Sequence, residues 1–236
     1  MVKERSLTNP YRGSKTDFGD LTFGGKNVVA LLGQAALIAE KAAWYEKWLV
    51  HRRLRPEVFG GRVQNELSGL KSYGLPPQLL HCEGVSRVKD AKGVALLPVT
   101  YPEGSPTHPS YPAAHATIAG ACATVLKAFF NEEFEIPDSV QASSDGLSLD
   151  PWTSPRLRLG NEIDKLASNV SFGRDAAGVH YRSDSSRGLE LGETHAIGLL
   201  CDYSRTYRER FDGFVFTRFN GSKVRISDGE TFESGG

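Results

Sequence analysis

Net charge is what this sequence has least of: 28 lysines and arginines stand against 28 aspartates and glutamates, so the formal charge is zero. Neither nucleic acid nor an anionic membrane surface is attracted without a positive field. Neither is therefore expected as a partner, and any anion site must be a local cluster of cations. Cysteine is almost as scarce. Cys82, Cys122 and Cys201 are odd in number, far apart and outside any Cys-x-x-Cys spacing, which argues against a disulfide framework or a zinc site and leaves buried free thiols. The charged start MVKERSLTNPYRGSK leads into no apolar h-region, so no secretory signal is read and a soluble chain is the default expectation, its compartment left open. Apolar runs are interrupted well before the length of about 18 residues that a membrane crossing needs, so no transmembrane helix is expected.

What is present suits a globular protein. The 236 residues are 39% hydrophobic and 24% charged, enough for a sizeable core in one large domain or two small ones. Residues 1–25 are polar and Gly-rich and read as an irregular N-terminal arm. Residues 26–212 read as a helical-bundle domain with long loops, and residues 213–236 as a C-terminal β-hairpin and tail. The first helix runs from Lys26 to about Arg53, rich in Ala, Leu, Glu and Lys with apolar residues recurring at three and four. It must stop by Arg55-Pro56, because the residue before a proline is pushed out of the α region. The second, PAAHATIAGACATVLKAFF, has Pro112 suited to a first helical position and a narrow side of Ala, Gly and Cys. GNEIDKLASNVSFGRD and SDSSRGLELGETHAIGLLCDYSRTYRERF predict two more, the last with a Ser/Asp-rich start able to cap it. In residues 57–110, NELSGLKSYG reads as a short helix and GVALLPV as a strand or extended segment. GFVFTRFNGSKVRIS alternates around Asn220-Gly221, a β-hairpin signal. The fold class is mainly α.

Chemistry would have to come from a few positions. His51, among Lys47, Arg52 and Arg53, reads as helix surface, and His195 as a structural residue of the last helix. Arg174 and His180 are six apart, which an unbroken helix would set about 240° around; Gly178 is where the chain can turn to bring them together. His115 lies in the first turn of its helix, whose unpaired N–H groups and dipole make an anion site. Lys47 and Arg55 are eight apart, about 12 Å along an α-helix, yet long side chains and a helix end near Pro56 could bring both tips to one centre. Spacing alone does not prove that the three segments meet. It supports a candidate oxyanion site and no more.

Three elements in order carry a resemblance. Lys47 precedes Arg55-Pro56 by eight residues, HPSYPAAHAT holds a Pro-x-x-His, and SFGRDAAGVHYRSD, continuing into GLELGE, places His180 six residues after Arg174. Together, over roughly residues 26–225, they resemble the vanadium-dependent haloperoxidases, in their bromoperoxidase-like branch, whose fold and site are shared with the type 2 phosphatidic acid phosphatases. The resemblance implies a helical bundle of that type and a vanadate cofactor whose place phosphate can take. By position, His180 binds the metal and Lys47, Arg55 and Arg174 hold its oxygens. Ala113 and Ala114 stand where the family has Ser-Gly, so a hydroxyl donor is lost. His115 serves as general acid–base, His108 sits beside it, and Trp44 occupies the halide-pocket position with an ordinary core aromatic as the other reading.

Hydrogen peroxide, a halide (bromide or iodide rather than chloride) and small organic molecules are the implied partners. Vanadate would act as a Lewis acid without changing oxidation state, and the product would be a hypohalous-acid equivalent. Family members usually carry a further helical half before the first motif. Faces that such a half covers imply association of this chain into a homodimer or larger assembly. Two other readings stay open: a soluble acid phosphatase with His180 as nucleophile and His115 as acid, and a degenerate domain that binds phosphate or serves assembly.

Overall fold

A computed structural model describes residues 4–234; residues 1–3 of the expected arm and 235–236 of the expected tail lie outside them. Four long helices, α1 (Gly25–Tyr45), α5 (Ala114–Phe129), α6 (Leu159–Ala176) and α7 (Arg182–Ser204), make the body. Three shorter ones, α2 (Pro56–Leu67), α3 (Pro77–Leu80) and α4 (Glu83–Lys92), fill the segment between α1 and α5. Helix α5 is the centre. Its buried residues include Ala114, Ala116, Thr117, Gly120, Ala121, Thr124 and Val125, a surface so low in relief that α7 lies against its backbone. A Cβ at Gly192 would sit 1.9 Å from the Thr117 carbonyl, and one at Gly120 would sit 2.3 Å from the Leu189 carbonyl. Small residues on both helices are thus what permits the approach. Helix α1 packs on another side of α5 through Leu31, Ala35 and Ala39, spaced four apart.

The expected order of long helices holds, with adjustments. Pro112 lies two residues ahead of the first helical residue, not within the helix, and Ala113 is the N-cap. NELSGLKSYG is not a helix of its own. Pro56, at the first helical position, starts α2 earlier, and Gly69 at φ +71° follows its end. GVALLPV forms no strand and pairs in no ladder. The loop after α5 holds a small hairpin, β1 (Val140–Ala142) with β2 (Leu149–Pro151), which the expectation of a long loop passed over although Asp145-Gly146 supplies a turn signal between the strands. The C-terminal hairpin is present as β3 (Phe214–Thr217) and β4 (Lys223–Ser227), and β5 (Glu230–Ser234) extends it to three antiparallel strands. Asn220-Gly221 falls in a five-residue connection, closed by Arg218 N–H to Ser222 O at 2.8 Å. Phe214, Phe216, Val224 and Ile226 alternate inward onto α5 and α7, each at most 2% exposed.

Contrary to the reading of interrupted apolar runs, the helical stretch beginning at Gly25 contains a window long and apolar enough to cross a membrane. Gln34, Glu40 and Lys41 are too few to lower its mean hydropathy further. Six of the 21 residues of α1 are buried, mostly at three- and four-residue spacing, so one side of the helix packs on the body.

Candidate functional site

The site forms where α1 ends and α5 and α7 begin. Helix α1 does not stop cleanly at Tyr45. Glu46–His51 continue as a π-turn, closed by Arg52 N–H to Lys47 O at 3.0 Å. Arg52 then takes φ +48° and breaks the helix, so the chain at Arg53–Arg55 runs back beside His108–Ser110. Two bonds clip these stretches together: Ser110 N–H to Arg53 O at 2.9 Å, and Ser110 Oγ to Leu54 O at 3.1 Å. A wider turn and a left-handed residue thus remove the 12 Å that an unbroken helix of about 1.5 Å rise would impose between Lys47 and Arg55.

Lys47 is fully buried and gives its ammonium to Pro109 O at 2.6 Å and Ser110 O at 3.2 Å. Arg55, 4% exposed, donates from Nε to His108 O at 2.9 Å, from Nη1 to Val179 O at 2.8 Å and His180 Nε2 at 2.9 Å, and from Nη2 to His108 Nδ1 at 3.1 Å. Gly178 makes the turn expected of it. Its φ is +78°, and a Cβ there would lie 2.4 Å from the Pro98 carbonyl, so the residue must be glycine on both counts. The turn sets His180 against Arg55 and leaves Arg174 on the last turn of α6. There the guanidinium meets Tyr101, through Nη1 to the phenol at 2.5 Å and over the ring at 5.2 Å.

One residue missed by the sequence reading completes the arrangement. Asp184, fully buried, accepts from His180 Nδ1 at 3.1 Å and from the Tyr181 N–H at 3.0 Å through Oδ2, and from Arg53 Nη1 at 2.8 Å through Oδ1. His180 therefore carries its proton on Nδ1 and turns a lone pair outward at Nε2, as a coordinating or nucleophilic imidazole requires. The signal was available: Asp184 is four residues after His180 and stands at the N3 position of α7. Arg53 and Tyr101 were also missed, and only long-range packing singles them out.

Burial governs the electrostatics, and the crowding of cations adds to it. Burial, and then Arg55, lower Lys47 to about 7. Burial is also the main reason that Arg55 falls to about 10, His108 to about 4 and His180 to about 4, with neighbouring cations adding to each. Burial pushes Asp184 up, but its bonds from His180 and Tyr181 and the charge of Arg53 outweigh this and hold it low. His115 is more exposed; desolvation, then Arg174, keep its imidazole below the ordinary value. Trp44 is 43% exposed with its ring 4.8 Å from that of His108. His51 is a surface residue against Glu46 and Tyr111. The Ala113 N–H is bound to Asp184 O at 3.0 Å, whereas the N–H of Ala114, first in its helix, has no intrahelical acceptor.

A model of the VCPO second helical-bundle domain matches residues 27–207. A vanadium-dependent bromoperoxidase of Ascophyllum nodosum is 37% identical over 96% of this chain and 42% of its own length. One from Corallina pilulifera is 37% identical over 87% of this chain and 38% of its own. The chain belongs to the vanadium-dependent haloperoxidase family. Among solved structures, the homohexameric second vanadate-dependent bromoperoxidase of Ascophyllum nodosum superposes with a TM-score of 0.85 at 27% identity, covering 98% of this chain and 44% of that one. The haloperoxidase fold accounts for the helical bundle and its small C-terminal sheet. This chain spans about two fifths of the length of the curated haloperoxidases that it matches.

Proposed function

We propose that this chain binds vanadate between Lys47, Arg55, Arg174 and His180 and acts as a haloperoxidase, oxidising bromide or iodide with hydrogen peroxide to a hypohalous-acid equivalent. The observation that carries the reading is the polar demand of the site. Arg174 Nε is buried without a hydrogen-bond partner, and two buried cations share a single buried carboxylate, that of Asp184. A tetrahedral oxyanion meets the orphaned donor and offsets the burial, and the lesser cation repulsion, that lower Lys47 and Arg55. The residues present therefore fit the cofactor of the named relatives.

Bound there, vanadate supplies Lewis acidity toward peroxide with no change of oxidation state. The protein supplies the rest. His180 presents Nε2, fixed in tautomer by Asp184, which Arg53 holds in turn; Arg55 must release Nε2 for that nitrogen to coordinate. Lys47, Arg55 and Arg174 hold oxygens by charge-assisted bonds. His115, neutral near pH 7, takes the proton of incoming peroxide at a ring nitrogen. Trp44 and His108 form the halide side. With Ala113 in place of serine one donor hydroxyl is gone, which favours the more easily oxidised halides over chloride. Phosphate, with the same tetrahedral shape, competes for the site. The exposed apolar stretch Leu37, Tyr45, Trp48 and Leu49 near the end of α1, 42–66% exposed, supports self-association of this chain.

The test is a vanadate titration of metal-free protein with peroxide, bromide and a brominatable dye. Bromination that rises with vanadate, falls with added phosphate and is lost in His180→Ala is the expected result. Cleavage of a phosphate ester without vanadate-dependent bromination would overturn the reading in favour of a phosphatase.

A further inference from the structure

Among the described residues, the guanidinium of Arg174 has one hydrogen-bond partner. Nη1 donates to the Tyr101 phenol at 2.5 Å, the charge lies 5.2 Å over the centre of that ring, and Nε is buried without a partner. A guanidinium holds its five N–H donors in one rigid plane, with Nε and Nη2 sharing an edge and Nη1 at the opposite corner. A bond at Nη1 therefore leaves the Nε–Nη2 edge free, and that edge matches two oxygens of a single anion. Arg174 is also close to the site. Its charge is the largest of those that act on His115, and it acts on Arg55 as well. We propose that Tyr101 is a positioning residue of the oxyanion site: its phenol fixes the Nη1 corner of Arg174, so that the Nε–Nη2 edge is presented ready-aligned to two oxygens of one tetrahedral oxyanion. The inference rests on the oxyanion reading above.

The loop that carries Tyr101 is tied to two parts of the site. Thr100 N–H binds Ala177 O at 3.0 Å, three residues past Arg174, and Ser105 N–H binds Glu57 Oε2 at 2.6 Å, two residues past Arg55. Between these ties Gly104 N–H closes a turn onto Tyr101 O at 3.0 Å. The loop thus braces the end of α6 against the start of α2, with the phenol between the two. An arginine fixed before the anion arrives loses less side-chain freedom on binding. A phenol also suits the task better than a carboxylate would. It accepts from the guanidinium while remaining neutral, so it anchors Arg174 without cancelling the positive charge that the anion needs.

A double-mutant cycle tests this, with inorganic phosphate and vanadate each titrated into vanadate-free protein by calorimetry. Tyr101→Phe keeps the ring and every backbone bond of the loop and removes only the phenol oxygen. It should weaken both anions about tenfold on its own, yet less than twofold when added to Arg174→Ala, because the phenol acts through that guanidinium. The vanadium NMR resonance of bound vanadate should move in Tyr101→Phe and should not move further when the change is added to Arg174→Ala. Affinities that Tyr101→Phe leaves unchanged would overturn the proposal. So would equal losses in both backgrounds, since Tyr101 would then serve the fold and not Arg174. Tighter binding in Tyr101→Phe would overturn it as well, by showing that the phenol holds Arg174 away from the anion. If wild-type protein binds neither anion, the oxyanion reading fails and this proposal with it. Phosphate binding that follows the expected cycle, in a protein that brominates nothing when loaded with vanadate, would keep Tyr101 in its role and remove the haloperoxidase reading alone.

Discussion

At its N-terminal end α5 faces Lys47, Arg55, Arg174 and His180, whereas at its C-terminal end Phe129 lies among Phe23, Tyr207, Phe211 and Phe214. The aromatic end is satisfied in every respect. Phe23 lies 4.2 Å from Tyr207 and 4.6 Å from Phe211 between ring centroids, Phe129 lies 5.1 Å from Phe214, and the Tyr207 hydroxyl reaches Asn27 Oδ1 at 3.0 Å. The cationic end carries fully buried Lys47 beside Arg55 and keeps two histidines far below their ordinary pKa. One helix thus joins a packed aromatic cluster that stabilises the fold to a cluster of buried like charges that costs stability.

If that contrast is right, variants at the two ends should separate binding from stability. The largest effect is expected from His180→Ala, which should weaken vanadate binding on the order of 100-fold or more, read by vanadium NMR or calorimetry, while urea unfolding of vanadate-free protein changes little. Asp184→Asn should fall within about 10- to 100-fold, as loss of the partner that orients a metal ligand does. Next comes Phe214→Ala, expected to cost about 3–5 kcal/mol of unfolding free energy with vanadate affinity within twofold in the folded fraction. Should it not fold, Phe214→Leu should show about 1 kcal/mol of the same loss. Equal shifts of affinity and stability at either end would erase the distinction.

The two ends were not equally legible in the sequence. The four long helices follow from apolar spacing, and the inward alternation of Phe214 and Phe216 follows from strand period. Helices α3 and α4 have no buried residue, so they leave no apolar stripe to read. Strands β1 and β2 are fully exposed and three residues each. At the site, family motifs pointed to Lys47, Arg55, Arg174 and His180, but the reason that they converge was hidden. The stretch EKWLVH reads as ordinary α-helix, and nothing local distinguishes a π-turn from it. The clip between Ser110 and Arg53 joins residues 57 apart, beyond the reach of any periodicity. Asp184 was legible in principle, four residues after a histidine and at N3 of a helix, but a carboxylate in a Ser/Asp-rich stretch reads first as a cap.

The comparison also has a pH signature. His108 in the folded protein titrates near 4, against about 6.5 when unfolded, so between those values the unfolded chain binds more protons. The sign is therefore that of a lowered folded-state pKa: stability is intact above about pH 6.5 and is lost as pH falls toward 4. Unfolding of vanadate-free protein by urea at pH 7 and pH 4.5 should show this loss. His108→Gln should shrink it by on the order of 1–3 kcal/mol. Phe214→Leu should lower stability equally at both values. A His108→Gln profile parallel to that of wild type would show that the imidazole is not held neutral by its surroundings.

The smallest effect concerns Ala113, fully buried as the N-cap of α5 with no side-chain cap of its own. A serine there has two uses for its hydroxyl. It can accept from an N–H of the first turn and stabilise the helix by about 1 kcal/mol, or it can donate to the oxyanion, worth about 1 kcal/mol of binding. Helix α7 lies close on one side, since a Cβ at Gly188 would come within 2.9 Å of the Ala113 carbonyl, so the hydroxyl is expected to turn toward the site. Ala113→Ser should then tighten vanadate about fivefold, with urea stability of the vanadate-free protein unchanged within about 0.5 kcal/mol. A gain in stability with no gain in affinity would assign the hydroxyl to the helix, and the alanine would then explain nothing about the site.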